Sequence, residues 1–204
     1  NRFFGVELEI DGGGSYDSNA EKIADTANLY DKHIYIKHDG SLNEGMEIVT
    51  HPMTLDYHLN EMPWKDVMRK AVTLGYLSHK TTTCGLHIHV NRSAFGSTRD
   101  EQEECISRVL FFVERFWQEL LKFSRRTESQ LARWAARYGI KENPKATLDN
   151  AKKNYSGRYT CVNLTNYHTI EFRIFRGTLK YSTLVATLQL VNKICDIAIR
   201  MTDE

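Results

Sequence analysis

Apolar and polar residues alternate strictly at the start of the chain. From Phe3 to Ile10 every even position is apolar, whereas the odd positions include Gly5, Glu7 and Glu9. A period of two is typical of a β-strand, in which successive side chains point to opposite faces of the sheet. The pattern therefore predicts a strand with one apolar face and one acidic face.

The same reasoning predicts the remaining elements along the chain. Strands alternate in polarity, whereas helices carry apolar residues three and four positions apart. Further strands are predicted over 33–37, 46–50, 84–91, 159–164 and 169–175, the last two as a hairpin. Helices are predicted from Ser18 as N-cap to Ala27, over 54–74 with an interruption at Pro63, over 99–124 with Phe116 facing inward, over 128–138, and from Ser182 as N-cap to about Arg200.

Hairpins are mixed with helices in this order, without a regular βαβ repeat. The order predicts an α+β fold with a largely antiparallel sheet whose apolar face packs on the helices. At about 150 residues per domain, 204 residues predict one domain, 1–204. The segment 141–158 is polar and basic and contains Pro144 and Gly157, which predicts a mobile loop.

Composition and charge narrow the class of protein. Hydrophobic residues make up 41% and charged residues 26%, which is ordinary for a soluble globular domain. The 27 Lys and Arg against 26 Asp and Glu leave a formal charge of +1, which argues against a general nucleic-acid binder. The sequence contains no run of 18 apolar residues, so no membrane span is predicted, and no signal peptide is expected. The four cysteines form no CxxC pair, which favours buried thiols in a cytoplasmic protein.

Ionisable residues recur at one parity of four predicted strands. Acidic and imidazole groups dominate this set, whereas a solvated sheet face usually mixes lysine with neutral polar residues. The set comprises Glu7, Glu9, Glu47, His87, His89, Glu171 and Arg173. We therefore expect these side chains to converge on the sheet face opposite the apolar one.

A divalent metal site is the favoured interpretation of this face, and a solvated face is the alternative. Carboxylate oxygens are the ligands that Mg²⁺ or Mn²⁺ prefers, and two such ions would balance four carboxylates. Zinc is disfavoured because its sites usually use three or four His or Cys ligands. A Cys84 nucleophile is disfavoured because burial is the usual fate of a lone cysteine.

The ordered motifs resemble the putative amidoligase family, which is related to glutamine synthetase and glutamate–cysteine ligase. The resemblance spans nearly the whole chain. It rests on Phe4–Glu9, Asp39–Leu42, Glu47–Pro52, Cys84–Val90 and Thr169–Thr178. It implies an antiparallel sheet curved into half a funnel, with ATP and two or more divalent ions on the concave face.

The resemblance also implies metal ligands residue by residue. Glu7 and Glu9 match the paired acidic ligands of two metals, and Glu47 matches a further ligand near the acyl site. His87 and Glu171 match ligands of the metal that contacts the phosphates.

Other positions match substrate contacts in the family. His89 and Arg173 correspond to phosphate contacts, and Arg173 and Glu47 to catalytic groups. Arg176 matches a catalytic arginine of the family but has the opposite parity from Arg173, so either a bulge intervenes or it acts beyond the strand end. Asp39 and Ser41 are either substrate contacts or turn residues.

The activity implied is ATP-dependent joining of a small-molecule or peptide carboxylate to an amine through an acyl phosphate. Glu44 and Asp39 are candidates for the base that deprotonates the amine. Two alternatives stay open: a metal-dependent kinase on the same sheet, and a non-catalytic module that retains the fold. The expected protein is cytoplasmic, does not bind membranes, and is either monomeric or oligomeric.

Overall fold

Six strands, eight α-helices and one 3-10 helix (Arg92–Ala94) occur among residues 1–153 and 156–201, the part of the chain that a computed structural model describes. The strands are β1 (Phe4–Ile10), β2 (Ile34–Lys37), β3 (Met46–Thr50), β4 (Gly85–Asn91), β5 (Val162–Asn163) and β6 (Thr169–Arg176). The helices are α1 (Asp17–Ala27), α2 (Leu55–Asn60), α3 (Trp64–Thr73), α4 (Arg99–Arg115), α5 (Trp117–Ser124), α6 (Glu128–Trp134), α7 (Pro144–Lys152) and α8 (Tyr181–Arg200).

The strands form one open sheet in the order β2-β3-β1-β4-β6-β5. Strand β3 pairs antiparallel with β1, where Glu9 lies opposite Glu47, and with β2, where Lys37 lies opposite Glu47. Strands β5 and β6 form the predicted hairpin, with Asn163 opposite Glu171. The predicted α+β class with an antiparallel sheet is confirmed.

The alternating pattern of β1 produces two faces of different character. Val6, Leu8 and Ile10 have no solvent exposure. Full burial of such a side chain stabilises the fold by about 1.5–3 kcal/mol, so this face anchors the strand. The acidic residues at the odd positions are thereby fixed on the opposite face.

The chain divides into two compact units, and β4 contributes to both. The N-terminal unit comprises Phe4–Ile88 and Arg176–Leu188. The C-terminal unit comprises Asn1–Phe3, His89–Phe175 and the described residues from Gln189 onward. The prediction of one domain over 1–204 stays a prediction.

The helix predicted over 99–124 is two helices, α4 and α5, that meet at Phe116. This residue leaves the helical conformation, with φ −104° and ψ 32°. Its side chain is 43% exposed and packs on the ring of Phe112, with the ring centroids 4.6 Å apart. The prediction that Phe116 faces inward is therefore wrong, because the helical period on which it rested stops there.

Two predicted helix starts are also displaced. Helix α1 begins at Asp17 with Tyr16 as N-cap, so Ser18 lies inside the first turn. Helix α8 begins at Tyr181, so Ser182 likewise lies inside it. Capping preference alone predicts both serines as N-caps, and it does not locate the helix start when the preceding residue is already helical.

The segment 141–158 contains a helix, α7, where the sequence predicted a loop. The side-chain oxygen of Asn143 accepts a hydrogen bond from the backbone N–H of Ala146 at 2.8 Å, and Pro144 occupies the first turn. Thr147, Leu148 and Ala151 are buried, and the helix packs against α4. Leu148 is the one large apolar residue of this buried face, so the polar composition of the segment does not indicate a helix. Residues 154 and 155 of the predicted loop lie outside the described residues.

Helix α8 is long and apolar enough to cross a membrane by length and composition alone. Its most apolar 18-residue window has a mean hydropathy of 1.3, and 39% of it is buried. The buried positions Leu184, Leu188, Val191, Ile194 and Ala198 recur at helical spacing. This one-sided burial is typical of an amphipathic helix packed along the protein.

All four cysteines lie in the described residues, are buried, and form no disulfide with one another. Burial raises the pKa of Cys84 to about 11 and the pKa of both Cys161 and Cys195 to about 12. Burial also raises the pKa of Cys105. The thiols therefore stay protonated at neutral pH, which agrees with the expectation against a Cys84 nucleophile.

Candidate functional site

The N-terminal unit gathers three glutamates and a histidine on the acidic side of β1. Register places Glu9 opposite Glu47, and both are buried, with 6% and 4% exposure. His87 on β4 is also buried, and Glu7 is half-buried beside it, with 3.6 Å between His87 Nδ1 and Glu7 Oε2. These four residues, Glu7, Glu9, Glu47 and His87, are here called the acidic cluster.

Lys37 and the backbone N–H of Gly85 are among the groups that partly compensate the charge of the acidic cluster. Lys37 Nζ lies 3.3 Å from Glu47 Oε2, but the lysine side chain is half exposed. The backbone N–H of Gly85 donates to Glu9 Oε2 at 2.6 Å. Like charges directly opposite each other in a sheet are destabilising, so the Glu9–Glu47 pair is an electrostatically costly arrangement.

The raised pKa of Glu47 reflects this electrostatic cost. Burial, followed by repulsion from Glu7, raises the pKa of Glu47 to about 7, although Lys37 opposes the shift. A buried carboxyl among other carboxyls takes up a proton more readily than an exposed one. A bound cation would favour the ionised form instead.

The geometry of the acidic cluster suits a divalent ion. One ligand atom each from Glu9, Glu47 and His87 lies within 4.8 Å of the others. Ligand oxygens bind Ca²⁺ or Mg²⁺ at about 2.0–2.6 Å, so two ligands of one ion are at most about 5 Å apart. The residues therefore fit a hard cation, and the donor set of two carboxylates and one imidazole is compatible with Mg²⁺ or Mn²⁺.

Asp11 supports the loop that precedes β3 and is a positioning residue that sequence reasoning missed. Its Oδ1 accepts from the backbone N–H of Glu44 at 2.7 Å, and its Oδ2 accepts from Asn43 N–H at 3.1 Å and from Thr83 Oγ1 at 2.8 Å. Burial opposes ionisation, but these hydrogen bonds outweigh it and lower the pKa of Asp11. Its position in the Asp-Gly-Gly-Gly run indicated only a turn.

The C-terminal unit holds a second group of predicted residues around Glu171. Arg173 Nη1 donates to Glu171 Oε1 at 2.6 Å, and both residues are buried. His89 Nε2 lies 3.8 Å from the same oxygen, and its Nδ1 lies 3.0 Å from Thr169 Oγ1. Glu171, Arg173 and His89 are here called the arginine cluster.

Two asparagines complete the surroundings of Glu171. Asn163 Nδ2 and Asn166 Nδ2 donate to Glu171 Oε2 at 2.9 and 3.2 Å. The guanidinium of Arg173 also lies over the Tyr159 ring, 5.7 Å from its centroid. Sequence reasoning missed both asparagines because asparagine is common in turns for reasons unrelated to chemistry.

The remaining candidates, Arg176, Asp39 and Glu44, lie in the N-terminal unit, at the end of β6 and in the loop before β3. Arg176 is the last residue of β6, so it does not lie beyond the end of the strand. Its Nη2 donates to the Thr81 carbonyl at 3.4 Å. Asp39 Oδ1 accepts from the Ser41 N–H at 2.8 Å, which is a turn contact. Glu44 is exposed in the same loop.

Comparisons with known proteins place these observations in context. Residues 25–195 match the family described as "Putative amidoligase enzyme", a range that includes Glu47, His87 and Glu171 but not Glu7 or Glu9. A glutamine synthetase of Plasmodium falciparum, solved by cryo-electron microscopy, has a similar fold with a TM-score of 0.54 at 10% identity. The similarity covers 98% of this chain and 51% of that chain, so this chain spans about half its length. No curated protein sequence matches the chain.

Proposed function

Because the chain belongs to the putative amidoligase family, we propose that it is an ATP-dependent ligase that joins a carboxylate to an amine. Membership of this family and the glutamine synthetase-like fold support a ligase-type enzyme. The finer assignment of ATP, an acyl phosphate and divalent metal ions is our proposal. It is carried above all by the buried Glu9–Glu47 pair, which lies within ligand distance of His87.

We propose that the acidic cluster holds Mg²⁺ or Mn²⁺. Glu7 and Glu9 are the paired ligands of two ions, Glu47 is a ligand near the reacting acyl group, and His87 is a ligand on the phosphate side. The ions would neutralise the approaching anions and stabilise the charge that spreads over the transferred phosphoryl group.

We propose that the arginine cluster contacts the phosphates. The Arg173 guanidinium presents a rigid fork that can hold two phosphate oxygens, and His89 supplies a further donor. Glu171 is the proposed metal ligand of this unit. The two asparagines hold its Oε2 atom in place, which supports a fixed carboxylate. Arg176 is kept as a further catalytic candidate at the strand end.

The chemistry requires activation of the carboxylate. Its oxygen attacks the γ-phosphorus of ATP, the bond from that phosphorus to the β-γ bridging oxygen breaks, and ADP leaves with an acyl phosphate formed. A neutral amine then attacks the acyl carbon, and inorganic phosphate leaves as the amide forms. The proton lost by the amine passes to a base, for which Glu44 and Asp39 are the candidates of the N-terminal unit.

The proposed substrates are small-molecule or peptide carboxylates and amines, and the proposed location is the cytoplasm. The formal charge of +1 supports the absence of general nucleic-acid binding. An oligomeric assembly is compatible with this proposal, and so is a monomer.

Trapping the acyl phosphate tests the proposal directly. The protein is incubated with Mg²⁺, ATP, hydroxylamine and pools of carboxylates, including amino acids, dicarboxylates and acidic peptides. Release of ADP together with a hydroxamate is the expected result. ATP labelled with ¹⁸O in the β-γ bridge should also scramble its label when a carboxylate is present and the amine is absent.

Two outcomes would overturn the proposal. A phosphorylated product without hydroxamate or isotope scrambling would identify a kinase. A protein that binds no ATP with either Mg²⁺ or Mn²⁺ would be a non-catalytic module. Glu9→Gln should weaken Mg²⁺·ATP binding, and Glu21→Gln, a change at an exposed carboxyl of α1, is the matched control; loss of ATP binding in both variants would point to a general charge effect.

A further inference from the structure

A cavity of about 660 Å³ lies within the C-terminal unit, at α4, α7 and the turn that joins β5 to β6. Its polar lining is rich in cations, among them Arg92, Arg99 and Lys152, and it includes the exposed Tyr167 and His168. It is here called the basic cavity. Its volume lies within the range of about 300–1,000 Å³ that is usual for small-molecule sites.

The charges of the basic cavity are unequal. Glu103 is the acidic residue of the lining, and it is shared by two cations. Lys152 Nζ lies 2.7 Å from its Oε2 atom, and Arg99 Nε lies 3.5 Å from its Oε1 atom. Three cations against one carboxylate leave two positive charges for a ligand to balance.

Arg92 is held rigidly at the wall of the basic cavity. Its Nη2 donates to the Leu164 carbonyl at 2.8 Å, and its Nε donates to the Asn166 carbonyl at 3.2 Å. Burial and the neighbouring Arg99 guanidinium lower the pKa of Arg92. A half-buried guanidinium beside a second one is a place where an anion is stabilised.

Asn166 connects the basic cavity to the arginine cluster. Its backbone carbonyl holds Arg92, and its side-chain amide donates to Glu171. One residue of the hairpin turn therefore positions both a cation of the cavity and the proposed metal ligand. A ligand in the cavity would lie next to the arginine cluster of the same unit.

The apolar part of the lining comprises Ile106, Leu148 and Leu164. Such side chains suit the methylene groups that separate the carboxylates of an acidic molecule. A simple inorganic anion would leave most of the cavity of about 660 Å³ unfilled.

We propose that the basic cavity binds an acidic substrate with at least two carboxylates, such as a short acidic peptide. This inference rests on the proposed ligase function and names its substrate class. A nucleotide fits less well, because the metal ion that accompanies its phosphates needs oxygen ligands. Glu103, the carboxylate of the lining, is already engaged by Arg99 and Lys152.

Direct binding tests the inference without relying on turnover. A dye-labelled triglutamate and its triglutamine counterpart are titrated into the protein, with fluorescence anisotropy as the measurement. The triglutamate should bind at least tenfold more tightly, and its affinity should fall as salt is added. Unlabelled glutarate and unlabelled triglutamate then compete for the site, which distinguishes a small dicarboxylate from a peptide.

Charge variants locate the binding. The double variant Arg99→Gln/Lys152→Gln should lose at least tenfold in triglutamate affinity, whereas Glu103→Gln should gain affinity because it removes the competing carboxylate. Lys145→Gln is the matched control, since this exposed lysine of α7 pairs with Asp149 and does not line the basic cavity. Equal affinity for triglutamate and triglutamine, or no loss in the double variant, would overturn the inference.

ATP binding separates this inference from the proposed function. Mg²⁺·ATP affinity should be unchanged in the double variant. Loss of ATP binding there, with triglutamate binding retained, would make the basic cavity a nucleotide site and overturn the inference while leaving a ligase possible. If the parent protein binds triglutamate but forms no hydroxamate, the ligase proposal is contradicted, whereas binding of an acidic ligand in the basic cavity is retained.

Discussion

At the scale of single residues, Glu47 combines burial, like-charge neighbours and a fixed register. Its carboxyl lies opposite Glu9 in β1 and opposite Lys37 in β2. In the absence of a cation this arrangement costs stability, whereas the cation that we propose there would be bound by the same carboxylates. Stability and metal binding should therefore respond in opposite directions when its charge is removed.

Glu47→Gln should stabilise the metal-free protein at pH 8, by up to about 1 kcal/mol in the free energy of unfolding. At that pH a carboxyl with a pKa of about 7 is mostly ionised, so the isosteric change removes repulsion. The same variant should show a smaller rise in Tm when Mn²⁺ is added. Urea unfolding in EDTA and thermal melts with Mn²⁺ measure the two effects. Destabilisation in EDTA with an undiminished Mn²⁺ response would show that Glu47 is structural.

Arg173→Lys separates a phosphate clamp from a structural cation. Lysine keeps the charge beside Glu171 but loses the planar fork. If Arg173 stabilises charge on the transferred phosphoryl group, kcat should fall at least tenfold while ATP affinity changes less. ATP turnover and ATP titration measure the two quantities, and circular dichroism checks the fold. A near-normal kcat would assign Arg173 the role of balancing Glu171.

At the scale of elements, His58 connects α2 to α3 and to β1. The indole N–H of Trp64 can only donate, and it lies 3.3 Å from His58 Nδ1, so this nitrogen accepts. His58 Nε2 then donates to the Phe4 carbonyl at 2.9 Å. Both ring nitrogens are satisfied in the neutral form, and protonation would break the contact with Trp64.

This geometry predicts an acid-sensitive contribution to stability. Burial lowers the pKa of His58, although the hydrogen bond to Phe4 opposes the shift. The unfolded chain then binds a proton at a higher pH than the folded one. The contribution is complete above the unfolded pKa of about 6.5 and is lost as the pH falls through the folded pKa, by up to about 1.4 kcal/mol per pH unit.

Urea unfolding from pH 8 to pH 5 checks this effect. His58→Gln should be less stable than the parent at pH 8, and the difference should shrink on acidification. His51→Gln, a change at an exposed histidine, is the control and should leave the pH dependence unchanged. A constant difference between His58→Gln and the parent would show that His58 does not titrate in this range.

The N-cap of α7 is a second test at this scale. Asn143→Ala removes the acceptor for the Ala146 N–H and should destabilise the helix by about 1 kcal/mol. Faster hydrogen exchange at the α7 amides is the expected result. Glu142→Ala changes the exposed neighbour of the cap and should leave the exchange rates close to those of the parent. Equal rates in the two variants would mean that the cap contributes little.

At the scale of the whole molecule, the sequence predicts strands better than it predicts what lies between them. The alternation in β1 is strict because one face is fully buried, and the antiparallel α+β class follows from the element order. Helix α7 depends on its packing against α4, which is distant in sequence and is not recorded by periodicity. The break at Phe116 falls inside a continuous run of helical spacing, so periodicity does not mark it. The positions of Asn163, Asn166 and Asp11 depend on pairing register and on a loop contact, so a single sequence does not indicate them.

Because the four cysteines are buried, we expect the native protein to react only slowly with thiol-reactive dyes. In the native protein a maleimide dye should label none of the four sites quickly, whereas under denaturing conditions mass spectrometry should count four labels. An introduced Tyr30→Cys, at a side chain that is 91% exposed, should then react alone. Rapid labelling of the parent would contradict the burial described here. If the native cysteines react slowly, a single fluorophore at residue 30 can report ligand binding without replacement of any native cysteine.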